Sequence, residues 1–409
     1  MQLENELNQQ FNQFQNRPDV VTLVDQLSRT AKNQMVDFAG LDGLRDDLRR
    51  LNAVIVYPLV LDDRLELVIT TPDSAPLRRT VNVKREDLNR TIAQFRQALQ
   101  NPNSDAKPIA QQLYTWLIKP LENDLKQAKP TTIIYSPDAQ LRYIPIAALH
   151  DGNQWLAQRY SINNITAKSL TDFTAKPQAQ PRILAGAFAK GSYTIGTASF
   201  EGSPFAGREV ATLKTLLPNT KELIDQAFSR SATTAQMNEY NILHLATHAA
   251  FVPGTKRDSF IVFGDGKIAT LEDIESWTLN NLDLVVLSAC ETGLGGKLGK
   301  NGEEILGLGY QFQSRGARAT IASLWQVDDG GTQVLMDAFY AILQNQKTTK
   351  TAALRQAQIA LITGDHHSIG GQRAGIKIID LRTNLPKTVS DRLDHPYYWA
   401  PFILIGNGL

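Results

Sequence analysis

Residues 283–304 read DLVVLSACETGLGGKLGKNGEE. The first seven form a short apolar, β-branched run that suits a buried strand and is too short for a helix. After them come a polar stretch with five glycines, read as an exposed loop, and then Glu303 and Glu304, two carboxylates that suit the N-terminus of a helix over 303–314. Strand, loop and helix make one step of a βαβ unit, and the pattern repeats on both sides. Apolar runs at 182–188 (RILAGAF), 241–247 (NILHLAT), 318–324 (RATIASL) and 401–405 (PFILI) alternate with helical spacing at 207–217, 270–277, 331–345 and 351–362. Thr270-Leu271-Glu272-Asp273 is a capping box at one helix start. Such alternation predicts an α/β domain with a mostly parallel sheet flanked by helices.

Further out, residues 52–60 and 64–71 read as a β-hairpin and 77–83 as a third strand. Helices are expected over 86–100 and 109–128, the second interrupted at Pro120. Strands are expected at 131–137 and 161–167. Residues 1–50 carry apolar positions at helical spacing among Gln, Asn and charges. A Pro/Gln stretch, AKPQAQPR at 175–182, marks a boundary. The expected division is an N-terminal helical segment (1–50), a first half (51–178) and a second half (179–409).

Composition narrows the function. The chain of 409 residues has 42 Lys+Arg against 41 Asp+Glu, so it lacks the basic stripe that direct nucleic-acid binding needs. A single cysteine makes neither an internal disulfide nor a multi-cysteine zinc site, which points to a reducing, cytoplasmic setting. The N-terminal stretch is polar and no apolar run reaches membrane-span length, so neither a signal peptide nor a membrane contact is expected.

In a parallel sheet, functional residues gather beyond the carboxyl ends of the strands. The strand NILHLAT ends at His248 and DLVVLSA ends at Cys290. A cysteine attacks carbonyls as its thiolate, and a neighbouring imidazole can take the thiol proton and return it to the leaving amine. The backbone N–H groups of Cys290 and Ala249 are the candidate oxyanion donors. A lone cysteine closing an apolar strand also suits a plain core residue. His244 reads as a satisfied core or supporting group, His150 and His366-His367 as solvated, and His395 as packed near the last strand. No pair has metal-ligand spacing, so neither a metal nor another cofactor is expected. The glycine loop, with Lys297 and Lys300, could cradle phosphate, but Gly299-Lys300 is followed by Asn301 and lacks P-loop spacing.

The strings HLATHA, VVLSACETGLG, NGEEILGLGYQFQSRGARATIASLWQVDD and HPYYWAPFILIG, with TTIIYSPDAQLRYIPIAALHDG in the first half, resemble the CHAT family of caspase-like cysteine peptidases, relatives of caspases and separase. The resemblance implies a caspase-like fold in which 179–409 is catalytic and 51–178 is a related half without its own cysteine. It also implies that His248 is the base and Cys290 the nucleophile of a peptidase acting on a protein substrate. Ala249 stands where the family often has glycine, and its N–H remains available. Caspase-like chains are often cut after the nucleophile strand, which makes Lys297 and Lys300 candidate self-cleavage sites and the 291–302 loop a candidate regulator. Trp325, Asp328 and Asp329 follow RATIASL and border the same crevice. The two carboxylates suit a basic residue before the scissile bond, or they cap the helix beginning near Thr332, and Trp325 suits a pocket wall or the core. Many family members carry tetratricopeptide repeats ahead of this region, so an upstream repeat region or a separate activating protein partner is expected. The alternative from another class is a catalytically inactive scaffold or interaction module.

Overall fold

The structure, a computed structural model, describes residues 38–166, 171–173, 180–250, 257–288, 303–325, 327, 331–344, 348–364 and 391–409, without the side chains of 38–41 and 303–308. Two compact units divide the chain, Met1–Asp47 and Leu48–Leu409. The first is represented by the start of a helix, Phe38–Arg50. All that follows concerns the second.

Its frame is one eleven-stranded sheet. The first half supplies β1 (Ala53–Val60), β2 (Leu65–Thr70), β3 (Leu77–Val81), β4 (Thr132–Tyr135) and β5 (Ser161–Asn164). The second supplies β6 (Ile183–Ala187), β9 (Thr220–Ile224), β10 (Ile242–Ala246), β14 (Leu284–Leu287), β15 (Ala319–Ser323) and β16 (Phe402–Gly406). Between these lie a ribbon of β7 (Ser192–Ile195) and β8 (Ala198–Glu201) and a small sheet of β11 (Ala249–Ala250), β12 (Phe260–Val262) and β13 (Ile268–Thr270). The large sheet runs in the order β3-β2-β1-β4-β5-β16-β15-β14-β10-β6-β9.

Strands β1, β4, β5 and β16 are mutually parallel, as are β15, β14, β10, β6 and β9. The two sets meet antiparallel where Ala319–Ser323 faces Gly406–Phe402. The carboxyl ends of β10, β14 and β15 therefore share one edge of the sheet with the beginnings of β5 and β16. An apolar run such as PFILI carries no signal of its own direction, so the antiparallel seam is a feature of the structure alone.

The strands read as near-continuous apolar runs because both faces are covered. In β10, Ile242 and Ala246 pack into a core with the helices Pro204–Leu216, Gly331–Leu343 and Lys350–Thr363. Leu243 and Leu245 face the opposite core, with Phe228, Phe263, Trp277 and Phe312. The expected break at Pro120 is present, with helices Lys107–Leu117 and Glu122–Ala128 on either side of it. Thr270 and Asp273 form the reciprocal capping box. The helix it opens ends at Ile274, short of the expected 277.

A half-buried network ties these first-half helices together. Arg159 donates to both Glu122 oxygens, at 2.8 and 3.1 Å, and to Asp151 Oδ2 at 3.3 Å, while the Tyr114 hydroxyl also donates to Glu122. Burial pushes the Glu122 pKa up, but the hydrogen bonds from Arg159 and Tyr114 outweigh it and leave the group below its ordinary 4.5. A carboxylate so depressed contributes stability that is complete above pH 4.5 and lost as pH falls through the folded value. Arg159→Met should therefore lower the melting temperature at neutral pH and flatten the acid limb, checked by thermal scans from about pH 3 to about pH 7. An acid limb as steep as wild type would remove Glu122 from that account.

Candidate active site

His248 follows β10 after Thr247, and its backbone is fixed on both sides. The Thr247 hydroxyl donates to the Val262 carbonyl at 2.6 Å, and Val262 N–H donates to the His248 carbonyl at 2.9 Å. The chain then enters β11, where Ala249 faces Ile261. In an antiparallel ladder hydrogen-bonded and non-hydrogen-bonded pairs alternate. Since 248 and 262 exchange a bond, the Ala249/Ile261 pair is of the second kind, and the Ala249 N–H stays out of the ladder.

The imidazole lies between two phenyl rings, Phe200 at 5.5 Å and Phe188 at 6.0 Å between centroids. Its Nε2 is 2.6 Å from the Glu201 carbonyl oxygen. A carbonyl only accepts, so Nε2 carries a proton, and in the neutral imidazole Nδ1 holds the lone pair. Nδ1 is enclosed and makes no hydrogen bond within the described residues. The Glu201 carbonyl thus favours one neutral tautomer, the one that leaves Nδ1 as the basic nitrogen.

Strand β14 lies beside β10 in parallel, with His244 opposite Val286 and Leu245 opposite Leu287. Ser288 N–H continues the pairing to the Leu245 carbonyl at 3.1 Å. In sequence, His248 stands three residues beyond Leu245 and Cys290 three beyond Leu287. Cys290 itself, Lys297, Lys300, Asp328 and Asp329 lie outside the described residues. Trp325, just past β15 at the same edge, is only 4% exposed, and its indole N–H donates to the Tyr397 carbonyl at 3.1 Å.

The remaining histidines sort by burial. His244 is fully buried, with Nδ1 3.0 Å from the Tyr340 hydroxyl and Nε2 2.9 Å from Glu209 Oε1. Asp337 shares this pocket, where burial first and the Glu209 charge second hold its carboxyl well above the usual carboxylate range. His150 corrects the expectation of a solvated turn: it is 6% exposed, stacked edge-on against Trp155, and its Nδ1 accepts from Gly152 N–H. The cause is a local bridge between His150 and Trp155 that folds the HDG turn inward. His395 accepts at Nδ1 from Tyr397 N–H and bonds through Nε2 to the Ser104 carbonyl. His366 and His367 lie outside the described residues. Among the described residues no group of three or more His, Cys, Asp or Glu could hold a metal ion, and no helix is long and apolar enough to cross a membrane.

The β7–β8 ribbon, with its Glu201 carbonyl, is not among the elements expected above. Its signal is there: Tyr193, Ile195, Ala198 and Phe200 alternate with polar residues around Gly196-Thr197, a two-residue hairpin pattern.

A large, mostly parallel sheet flanked by helices, with a histidine at the edge where its central strands end, defines a caspase-like α/β fold. Separase from Saccharomyces cerevisiae, solved in complex with securin, shares it: TM-score 0.53 at 8% identity, covering 89% of this chain and 30% of that one. The Arg-specific cysteine proteinase gingipain R aligns with TM-score 0.43 at 11% identity over 79% of this chain and 74% of that one. Residues 107–407 match the CHAT domain, and the chain belongs to that family. Human tetratricopeptide repeat protein 28 is 22% identical over 354 residues, 72% of this chain, and the chain spans 14% of that relative's length.

Proposed function

We propose that the chain is a cysteine endopeptidase in which His248 and Cys290 act as a dyad. The observation that carries this reading is His248 just past β10, with Nε2 on the Glu201 carbonyl and Nδ1 without a partner among the described residues, beside a neighbouring strand that leads in sequence to Cys290 at the same offset. Nδ1 takes the thiol proton, and the thiolate sulfur bonds to the peptide carbonyl carbon. The resulting oxyanion is met by the N–H groups of Ala249 and Cys290. The C–N bond then breaks, the amine leaving with the proton from the imidazolium, and water activated by His248 hydrolyses the thioester.

Asp328 and Asp329, which follow β15 in sequence, favour Arg or Lys before the scissile bond. Cleavage after Lys297 or Lys300 would reorder the 291–302 loop and switch the enzyme on. The likeness to a tetratricopeptide repeat protein supports control by an upstream repeat region or a partner protein. A positional-scanning peptide library tests the whole reading. The expected result is cleavage confined to peptides with Arg or Lys before the bond, and turnover of no peptide, with or without prior cleavage of the loop, would contradict it in favour of a scaffold.

A further inference from the structure

We propose that Tyr193 is a positioning residue for the His248 base, acting through the ribbon that presents the Glu201 carbonyl; this rests on the dyad reading above. Two of the groups that hold the imidazole, the Phe200 ring and the Glu201 carbonyl, are consecutive on β8, and the Phe188 ring is the third. Directly across the ribbon, β7 sets Ser192 opposite Glu201 and Tyr193 opposite Phe200. Two strands alone are marginally stable. This pair stands outside the large sheet, with Ser192, Thr194, Gly196, Thr197 and Ser199 exposed. Its position must therefore come from the few groups that dock it.

Tyr193 is the main one on β7. Its hydroxyl donates to the Gly264 carbonyl at 3.1 Å and accepts from Gln226 Nε2 at 2.9 Å. Its ring lies flat against Gly266, at φ +79°, where a Cβ would come within 2.6 Å of a ring carbon. The surface it meets is stiff. Gly264 abuts the Asp225 backbone so closely that a Cβ would be 2.3 Å from the Asp225 carbonyl oxygen, and Asp225 Oδ1 accepts from Ala189 and Lys190 N–H at the ribbon's root. Tyr193 thus joins β7 to a fixed wall, and β8 carries that position to His248. A ribbon that slid by a few tenths of an ångström would stretch the Nε2–H bond to Glu201, and with it the preference for one tautomer.

Tyr193→Phe keeps the ring and removes both hydroxyl bonds. The expected result is a loss of about tenfold in kcat with KM little changed, about the worth of one hydrogen bond. Gln226→Ala, which removes one of the two, is expected to lose less. The ring 15N signals of His248, assigned by their absence in His248→Gln, should move from the Nε2–H tautomer toward a mixture. A purely structural tyrosine would lower the melting temperature while leaving kcat and the tautomer at wild-type values, and that result would overturn the proposal while leaving the peptidase reading intact. If the wild type cleaves nothing, the peptidase reading falls, and the tautomer signal alone still decides for or against Tyr193.

Discussion

Cys290→Ala is expected to bring peptide hydrolysis to the background rate, and His248→Gln to lower kcat by about 10³-fold or more. The two effects have different origins. Alanine offers no nucleophile, so the acyl-enzyme route is closed, whatever the base does. Glutamine keeps a hydrogen-bonding side chain for the Glu201 carbonyl but has no basic nitrogen where Nδ1 stands, so the thiol ionises only to the few per cent set by its ordinary pKa near about 8.5. Because nucleophile and base act as a unit, the double variant should be no slower than Cys290→Ala alone. Initial rates on the best library peptide decide this, with melting temperatures near wild type showing that the fold is intact. A His248→Gln enzyme retaining a third or more of its kcat would take the base role from His248.

The largest effect on stability is expected at the opposite edge of the sheet. Lys350, at the start of the helix Lys350–Thr363, is 3% exposed, and its Nζ is 2.9 Å from Asp283 Oδ2, just before β14. Arg318 stands 3.7 Å from the other carboxylate oxygen. Burial lowers the Lys350 pKa and the Asp283 charge opposes that shift. Removing the ammonium leaves a largely buried carboxylate with its nearer cation gone and Arg318 as the remaining one, a type of change that costs about 3–5 kcal/mol. Lys350→Met should show that loss in denaturant unfolding. Lys350→Met with Asp283→Leu should recover most of it, since a buried pair replaced by apolar groups is often neutral. A loss below about 1 kcal/mol for the single variant would mean that water reaches the carboxylate.

The second half was legible in the sequence where burial is two-sided. NILHLAT, DLVVLSA and RATIASL are apolar because helices cover both faces of β10, β14 and β15, and that is what a continuous β-branched run records. Strand β9, TKELI, was not legible: at the sheet edge it is half exposed, with Lys221 and Glu222 in its middle, and no apolar run remains. The direction of β16 was not legible either, since pairing sense depends on partners distant in sequence. His150 looked like a surface turn because HDG is polar, and only the bridge to Trp155 draws it inward. The site divides in the same way. His248 and Cys290 could be read as two strand ends, but the Glu201 carbonyl is a backbone group, and no side-chain motif announces it.

The proposed dyad makes Cys290 a nucleophile activated by His248. Its most direct measurement is covalent labelling with a peptidyl acyloxymethyl ketone ending in Arg, with the adduct mapped by mass spectrometry. One adduct per chain on Cys290 is expected in the wild type, formed about 100-fold or more slower in His248→Gln and absent after heat unfolding. Labelling of Cys290 at the same rate in folded wild type, His248→Gln and unfolded protein would mark it as an ordinary thiol and contradict the account.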